Sequence, residues 1–156
     1  MKKGSAEILT ATKQDISWMV DLSHSKRADY EQHQKQFWKM AENSDTIQAR
    51  FFEEEIQKQN VIALRDFGRS GFVIGKIISP PEVYDAGATL MIDDFCVKSP
   101  NLWLSTGLEL LNEITSRAKS KGAKQILLVC GNHDLEKSQL LEKAKLSVAS
   151  KWYVGL

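Results

Sequence analysis

The residues best placed to do chemistry follow a strand predicted over residues 89–97. The short loop Ser105-Thr106-Gly107 comes next, and a helix is predicted from Leu108 to Lys121. In such a unit the free backbone N–H groups of the loop and the positive end of the helix point at one spot beyond the end of the strand. An anion can bind at that spot. The pattern therefore predicts a site for a phosphate-bearing cofactor.

The composition is typical of a single globular domain with little net charge. The chain has 156 residues, of which 42% are hydrophobic, and domains most often have about 100–150 residues. Its 21 basic and 20 acidic residues give a formal net charge of +1, which creates no broad field to attract nucleic acid or an acidic membrane surface. No stretch reaches the roughly 20 apolar residues of a membrane span. We expect one domain over residues 1–156, in the cytoplasm, without nucleic-acid or membrane partners.

The cysteines and histidines show none of the spacings typical of a metal site. Cys96 and Cys130 each lie at the end of an apolar, strand-like run, and neither belongs to a CxxC pattern. Because free cysteine behaves as a small apolar residue, both are expected to be buried and reduced. His24, His33 and His133 also lack HxxxH or HExxH spacing. No metal site is predicted.

Hydrophobic periodicity predicts alternating helices and strands around this unit. Strands are predicted at 7–11, 61–65, 71–78, 89–97 and 125–130, and the tail 147–154 is β-prone. Helices are predicted to begin near Asp15, Asp45, Leu108 and Asp134, three of them at acidic residues that can cap a helix. The acidic run Glu53-Glu54-Glu55 in the second helix is expected to face solvent.

The resulting order, β-α-α-β-β-β-α-β-α-β, resembles the GCN5-related N-acetyltransferase (GNAT) superfamily over nearly the whole chain. The most specific part is Met91-Ile-Asp-Asp-Phe-Cys-Val97, which is similar to the fourth strand of polyamine and diamine acetyltransferases. Asn132 after the fifth strand and Trp152 in the tail also fit. The resemblance implies an α/β (α+β) fold, in which helices flank a mixed, twisted central sheet.

The resemblance also implies a cofactor and a reaction. Acetyl-CoA would donate its acetyl group to a primary amine of a small molecule or peptide, by direct attack in a ternary complex. The implied cofactor-binding residues are Phe95, Cys96, Val97, Leu104, Ser105, Thr106, Gly107, Leu108 and Asn132. Asp93 is implied to be the base or the carboxylate that binds the ammonium group. The acceptor would contact Asp93 together with Tyr30, Trp38 and Tyr84, with His33 and Glu54 as further candidates.

Two departures from the family pattern leave an alternative open. Of the two glycines in the family's phosphate loop only Gly107 is present, and Ser105 stands in place of the other. Thr106 and Glu109 can instead form a capping box, which uses the same N–H groups. The tyrosine that protonates the leaving thiolate in many members is matched by Leu141. The alternative is a protein of this fold that binds acyl-CoA or a partner without transferring the acetyl group.

Two expectations concern orientation and assembly. Asp93 and Asp94 are consecutive in a strand, so their side chains are expected to face opposite sides of the sheet. Asp94 then serves structure, while Asp93 either faces the acceptor or caps nearby N–H groups. The tail with Trp152 and Tyr153 either completes the sheet of its own chain or pairs with a second copy, which predicts a possible homodimer.

Overall fold

The computed structural model describes residues 7–156 and confirms an α/β fold with a mixed sheet flanked by helices. The five strands are β1 (Ile8–Thr10), β2 (Val61–Asp66), β3 (Gly71–Ile78), β4 (Thr89–Val97) and β5 (Gln125–Leu127). The four α-helices are α1 (Ile16–His33), α2 (Ser44–Glu55), α3 (Leu108–Ser120) and α4 (Leu135–Lys143). None of the helices among these residues is long and apolar enough to cross a membrane.

The strands lie side by side in chain order, and the last pair leaves an opening in the sheet. β1 to β4 are antiparallel neighbours, whereas β5 runs parallel to β4. β4 and β5 pair only from Thr89 with Gln125 to Met91 with Leu127. β4 then continues to Val97, and within residues 7–156 no strand pairs with it on that side. The two backbones therefore separate beyond Met91.

A β-bulge lies at the point where this opening begins. The register shifts between residues 74 and 75 of β3, which pair with Asp94 and Ile92, so Asp93 is an extra residue in β4. Side chains of a strand alternate between the two faces of the sheet, and the extra residue shifts this alternation by one position. Ile92 and Phe95 therefore pack in the same core, on the face that α3 covers. Asp93 and Asp94 both lie toward α1 and α2, and the prediction that they face opposite sides is wrong.

Each face of the sheet has its own apolar core. α3 presents buried side chains at spacings of three and four residues, as an amphipathic helix does: Leu110, Leu111, Ile114 and Ala118. On the other face, α1 and α2 contribute Ile16, Met19, Val20 and Phe52, which pack against Phe72 and Ile74 of β3. Full burial of one such side chain stabilises a fold by about 1.5–3 kcal/mol. The two cores hold α1 and α4 on opposite sides of the opening.

The start of α1 is fixed by a buried carboxylate. Asp15 accepts a hydrogen bond from the backbone N–H of Thr12 at 2.9 Å, which confirms the predicted start. It also forms ion pairs with Arg65 at 2.8 Å and Arg69 at 3.0 Å, although it is fully buried. Burial alone would raise the pKa of Asp15, but the hydrogen bond from Thr12 and the two guanidinium groups outweigh it and lower the pKa.

Asp15→Asn is expected to destabilise the fold by about 3 kcal/mol, because it leaves two arginines without their carboxylate. Urea unfolding measures the effect, and Asp21→Asn on the exposed side of α1 is the control. Since the pKa of Asp15 is lower in the folded state, its stabilisation is complete above the ordinary aspartate value of about 3.9 and is lost as the pH falls. The free energies of unfolding of the wild type and Asp15→Asn should therefore converge in acid. Equal stability at neutral pH would contradict the assignment.

The third helical segment begins earlier than predicted. A 3₁₀ turn over Pro100–Leu102 leads into a π-helical turn over Trp103–Gly107 and directly into α3. Proline suits the first helical position because it lacks an N–H that would be unpaired there. Thr106 is buried inside this segment and caps no helix, so the predicted capping box is wrong.

Two other predictions differ from the structure. Glu53 and Glu54 are exposed, but Glu55 is buried, because it lies three residues after the buried Phe52 and pairs with Lys58 and Lys76. Residues 144–156 form no strand, and β5 ends at 127 instead of 130. A β-prone segment forms a strand only when it pairs with the edge of a neighbouring strand. The available edge is β5, which has only three residues among those the structure describes.

Candidate active site

The opening between β4 and the chain after β5 forms a cavity of about 230 Å³. The bulge of β4 forms one wall with Asp93 and Asp94, and residues 128–129 form the facing wall. The remaining lining comes from α1, the segment after it and α4: Lys26, Arg27, Tyr30, Trp38 and Lys137. The structure thus brings three predicted site residues to one cavity, namely Asp93, Tyr30 and Trp38.

The Asp94 carboxylate is paired and hydrogen-bonded within the wall of this cavity. Its carboxylate forms an ion pair with Lys26 and accepts hydrogen bonds from Ser23 Oγ at 2.7 Å and from Phe95 N at 3.0 Å. Burial acts to raise the pKa of Asp94, but the Lys26 ammonium and these hydrogen bonds keep it below its usual value. Asp94 therefore remains an anion and ties α1 to β4. The Phe95 amide is already used by this carboxylate.

Asp93 differs from its neighbour in being exposed and unpaired. Within residues 7–156 its carboxylate takes part in no hydrogen bond or ion pair, and its side chain is exposed. Partial burial raises the pKa of Asp93; Lys76 opposes this shift, while the charges of Glu55 and Asp94 add to it. A free carboxylate with a raised pKa is suited to accept a proton.

Sequence reasoning missed three charged side chains of the cavity wall, Lys26, Arg27 and Lys137, and Lys137 is the most deeply buried of them. The residue is 2% exposed, and its Nζ donates to the carbonyl oxygen of Val129 at 3.0 Å. The ammonium lies 5.4 Å from the ring centre of Trp103 and 5.8 Å from that of Phe95. Burial, together with the nearby Lys26 charge, lowers the pKa of Lys137. Its spacing of three residues from the buried Leu140 was the available signal.

A hydrogen-bonded pair connects the two helices that flank the cavity. Tyr30 OH donates to Asp134 Oδ2 at 2.7 Å and accepts from Gly131 N at 3.2 Å. Asp134 in turn caps α4 by accepting from the backbone N–H of Lys137 at 3.4 Å, which confirms it as the helix cap. The ring of Tyr30 lies 4.7 Å from that of Trp38. The contacts fix the start of α4 and hence the position of the Lys137 backbone.

Comparison with known proteins gives structural relatives only. No protein-family model and no curated protein matches the sequence. A mutant of the BH1408 protein from Bacillus halodurans has a TM-score of 0.83 at 16% identity, with 96% of this chain and 99% of that chain covered. A predicted acetyltransferase with acetyl-CoA from Clostridium acetobutylicum has a TM-score of 0.71 at 15% identity, with coverage of 96% and 95%. This chain has the GNAT fold.

The names of two further proteins of this fold mention a cofactor or an acceptor. AAC(6')-Iy, in complex with the bisubstrate analog CoA-S-monomethyl-acetylneamine, has a TM-score of 0.69 at 10% identity, with 98% of both chains covered. Ribosomal-protein-alanine N-acetyltransferase from Brucella melitensis has a TM-score of 0.62 at 16% identity, with coverage of 97% and 99%. At these identities the likeness establishes the fold and leaves the activity to the site itself.

The predicted cofactor-binding residues of this GNAT fold lie along two elements. Phe95, Cys96 and Val97 form the end of β4, and Leu104 to Leu108 form the π-helical turn and the first residue of α3. Within that turn Leu104 and Ser105 are exposed, whereas Thr106 and Gly107 are buried. A Cβ on Gly107 would lie 2.9 Å from Trp103, so this glycine is required for close packing. Asn132 is exposed after β5.

The structure does not bring the remaining acceptor candidates to the cavity. Tyr84 lies in the loop between β3 and β4, is 67% exposed and is not part of the cavity wall. His33 and Glu54 are also exposed and outside it. Cys96 is buried, as expected, whereas Cys130 is only partly buried, and both are free thiols. Burial raises the pKa of Cys96, so it stays protonated.

One group of possible metal ligands lies beside the cavity. Asp29, His33 and His133 bring one ligand atom each within 4.8 Å of one another, which the sequence spacing did not predict. The two imidazole rings are stacked at 3.8 Å with 7° between their planes, and His133 Nε2 lies 3.2 Å from Asp29 Oδ2. In stacked rings the nitrogen lone pairs lie in separate parallel planes and do not converge on one ion. The cluster is a packing contact between α1 and the turn before α4.

Proposed function

We propose that the protein is an acetyl-CoA-dependent N-acetyltransferase that acetylates a primary amine of a small molecule or peptide. The observation that carries the proposal is the open cavity between β4 and β5, with the unpaired Asp93 carboxylate at the bulge. The solved structures of this fold with acetyl-CoA and with a CoA bisubstrate analog support the choice of cofactor. We propose a single domain in the cytoplasm, where free cysteines stay reduced.

The cofactor would lie along the end of β4 and reach the start of the third helical segment. The unpaired edge of β4 over Phe95–Val97 offers main-chain groups to the pantetheine amides, with the exception of the Phe95 N–H, which donates to Asp94. Asn132 lies on the facing side. The pyrophosphate would bind near the exposed residues Leu104 and Ser105, which follow the first turn of the helical segment that begins at Pro100 and so lie toward its positive end. A serine at this position adds its hydroxyl as a further donor.

The acceptor would enter from the side of α1. Asp93 attracts its ammonium group and then takes a proton from it, since only the neutral amine has a lone pair. The amine nitrogen would then attack the thioester carbonyl carbon, so that a C–N bond forms and the C–S bond breaks with its electron pair moving to sulfur. The second proton of the nitrogen would leave to water as the amide forms. Tyr30 and Trp38 offer ring faces that can contact a cation. Holding both reactants in one cavity supplies much of the rate enhancement in such transfers.

The proposal is tested by mixing the protein with acetyl-CoA and a panel of polyamines, amino acids, aminoglycosides and peptides with free N-termini. A thiol reagent measures the release of CoA. We expect release with at least one amine class, at a rate that depends on Asp93. Tight binding of acetyl-CoA without release from any amine would instead favour the alternative, a protein that binds the cofactor without transfer.

A homodimer is also proposed, because the tail is exposed and β5 forms the edge of the sheet. Trp152 and Tyr153 are 79% and 90% exposed, and within residues 7–156 no strand covers the outer edge of β5. Exposed aromatic side chains and unpaired strand edges favour association with another chain. Light scattering after gel filtration should give the mass of two chains, and a monomer at all concentrations would contradict the proposal.

A further inference from the structure

We propose that Lys137 is the general acid of the transfer and gives its proton to the sulfur of CoA as the C–S bond breaks. The inference rests on the proposed function, because it assigns a role to another side chain of the same cavity. It starts from the geometry of a buried ammonium group that no other part of the fold explains.

Lys137 is part of the cavity wall and has unused hydrogen-bonding capacity. An ammonium group has three N–H donors, and within residues 7–156 only the Val129 carbonyl accepts from it. No carboxylate of these residues forms an ion pair with it. The ring centres of Trp103 and Phe95 lie within 6 Å of the charge. The remaining N–H donors are therefore available to a group bound in the cavity.

Stability does not explain this arrangement. A buried charge without a counterion costs free energy, and an apolar side chain of similar length would fit among Trp103, Phe95 and Leu140 without that cost. Buried charges retained in a cavity are typical of functional sites.

The charges around Lys137 leave its ammonium ready to lose a proton. The positive charge of Lys26 in α1 repels the Lys137 ammonium and so lowers the pKa of Lys137. The carboxylate that pairs with Lys26 is Asp94. The pKa of Lys137 is raised by the charges of Cys96, Cys130 and Asp134. Burial and the Lys26 charge outweigh them, so the pKa of Lys137 is lowered. This moves it toward the ordinary thiol value of about 8.5, where proton transfer to a thiolate is efficient.

The cavity then has a proton acceptor and a proton donor on different walls. Asp93 at the β4 bulge takes the proton from the acceptor ammonium. The amine nitrogen bonds to the carbonyl carbon, the electron pair of the C–S bond moves to sulfur, and Lys137 Nζ supplies the proton that makes the CoA thiol. The second proton of the amine nitrogen leaves to water as the amide forms. Asp93 afterwards gives its proton to water, and the neutral Lys137 takes one from water.

The test measures the thiol pKa of bound CoA, which needs no amine acceptor. The thiolate absorbs in the near ultraviolet, so a pH titration of the complex follows its ionisation. Because the thiol and the Lys137 ammonium share one proton after the first ionisation of the wild-type complex, the thiolate band should appear in two steps, the first of them below the free thiol value. In Lys137→Met the band should appear in a single step. A complete band in the first step of the wild type would show that Lys137 keeps its proton and would overturn the role. Lys143→Met, on the exposed side of α4, is the matched control and should behave as the wild type.

The possible outcomes separate this inference from the proposed function. Failure of the wild-type protein to bind CoA would overturn the proposed function. CoA binding with the same thiolate titration in the wild type and in Lys137→Met would overturn the role of Lys137 alone, and so would loss of CoA binding in a folded Lys137→Met. With an amine found in the panel, Lys137→Met and Lys137→Arg should both lower kcat by about 100-fold or more, since arginine keeps the charge but holds its proton.

Discussion

Asp93→Asn is expected to lower kcat for amine acetylation by about 100- to 1000-fold, while acetyl-CoA binds with unchanged affinity. The reason is that asparagine keeps the size of the side chain but cannot take a proton from the acceptor. Asp93 has no hydrogen-bond or ion-pair partner within residues 7–156, so the substitution should leave the stability of the fold unaltered. Asp21→Asn on the exposed side of α1 is the control for the loss of one surface carboxylate.

The pH dependence of kcat/KM provides the second readout for Asp93. Burial, with Glu55 and Asp94 nearby, raises the pKa of this carboxylate. The rate should therefore fall with decreasing pH at a value above the ordinary aspartate pKa of about 3.9. The Asp93→Asn variant should lack this acid limb. Turnover near the wild-type rate, or an unchanged acid limb, would show that another group is the base.

Asp94→Asn is expected to have the largest effect on stability, about 3–5 kcal/mol, because it leaves the Lys26 ammonium in the cavity wall without its carboxylate. Urea unfolding measures the loss. The double variant Lys26→Met/Asp94→Asn removes both charges and should recover much of the stability. If the two single effects simply add, the ion pair does not hold α1 to β4.

The stabilisation by Asp94 should also depend on pH in a defined direction. Its pKa is lower in the folded state, since the Lys26 charge and the hydrogen bonds outweigh burial. The stabilisation is therefore complete above about pH 4 and is lost as the pH falls through the folded-state pKa. Wild type and Asp94→Asn should differ most near neutral pH and least in acid.

The sequence predicted the order of the elements from β1 to α4, though not the absence of a strand after α4, and it predicted the strand that carries the site, because both follow from local patterns. The run Met91–Val97 and the apolar spacing of α3 are readable without the fold. The orientation of Asp93 was not readable, since alternation assumes a regular strand and the bulge arises from pairing with β3. Lys137 was missed for a similar reason: lysine on a short helix is ordinarily exposed, and only the packing of α4 buries it.

The ends of elements were predicted least well. The helical segment begins at Pro100 and not near Leu108, although proline followed by helix formers is a start signal in the sequence itself. The tail 147–154 has the composition of a strand, but β-propensity forms a strand only where a neighbouring edge pairs with it. That edge depends on where β5 leaves the sheet, which no local pattern fixes.

The central claim, that acetyl-CoA binds in the opening between β4 and β5, is tested most directly by calorimetric titration of the protein with acetyl-CoA. We predict one site per chain and a stabilisation of about 2.7 kcal/mol at 100 times the dissociation constant. Ser105→Asp should weaken binding by about tenfold or more, because its carboxylate repels the pyrophosphate. Ser116→Asp, on the exposed side of α3, should bind as the wild type does. Absence of binding at millimolar acetyl-CoA, or equal affinity in Ser105→Asp, would contradict the claim.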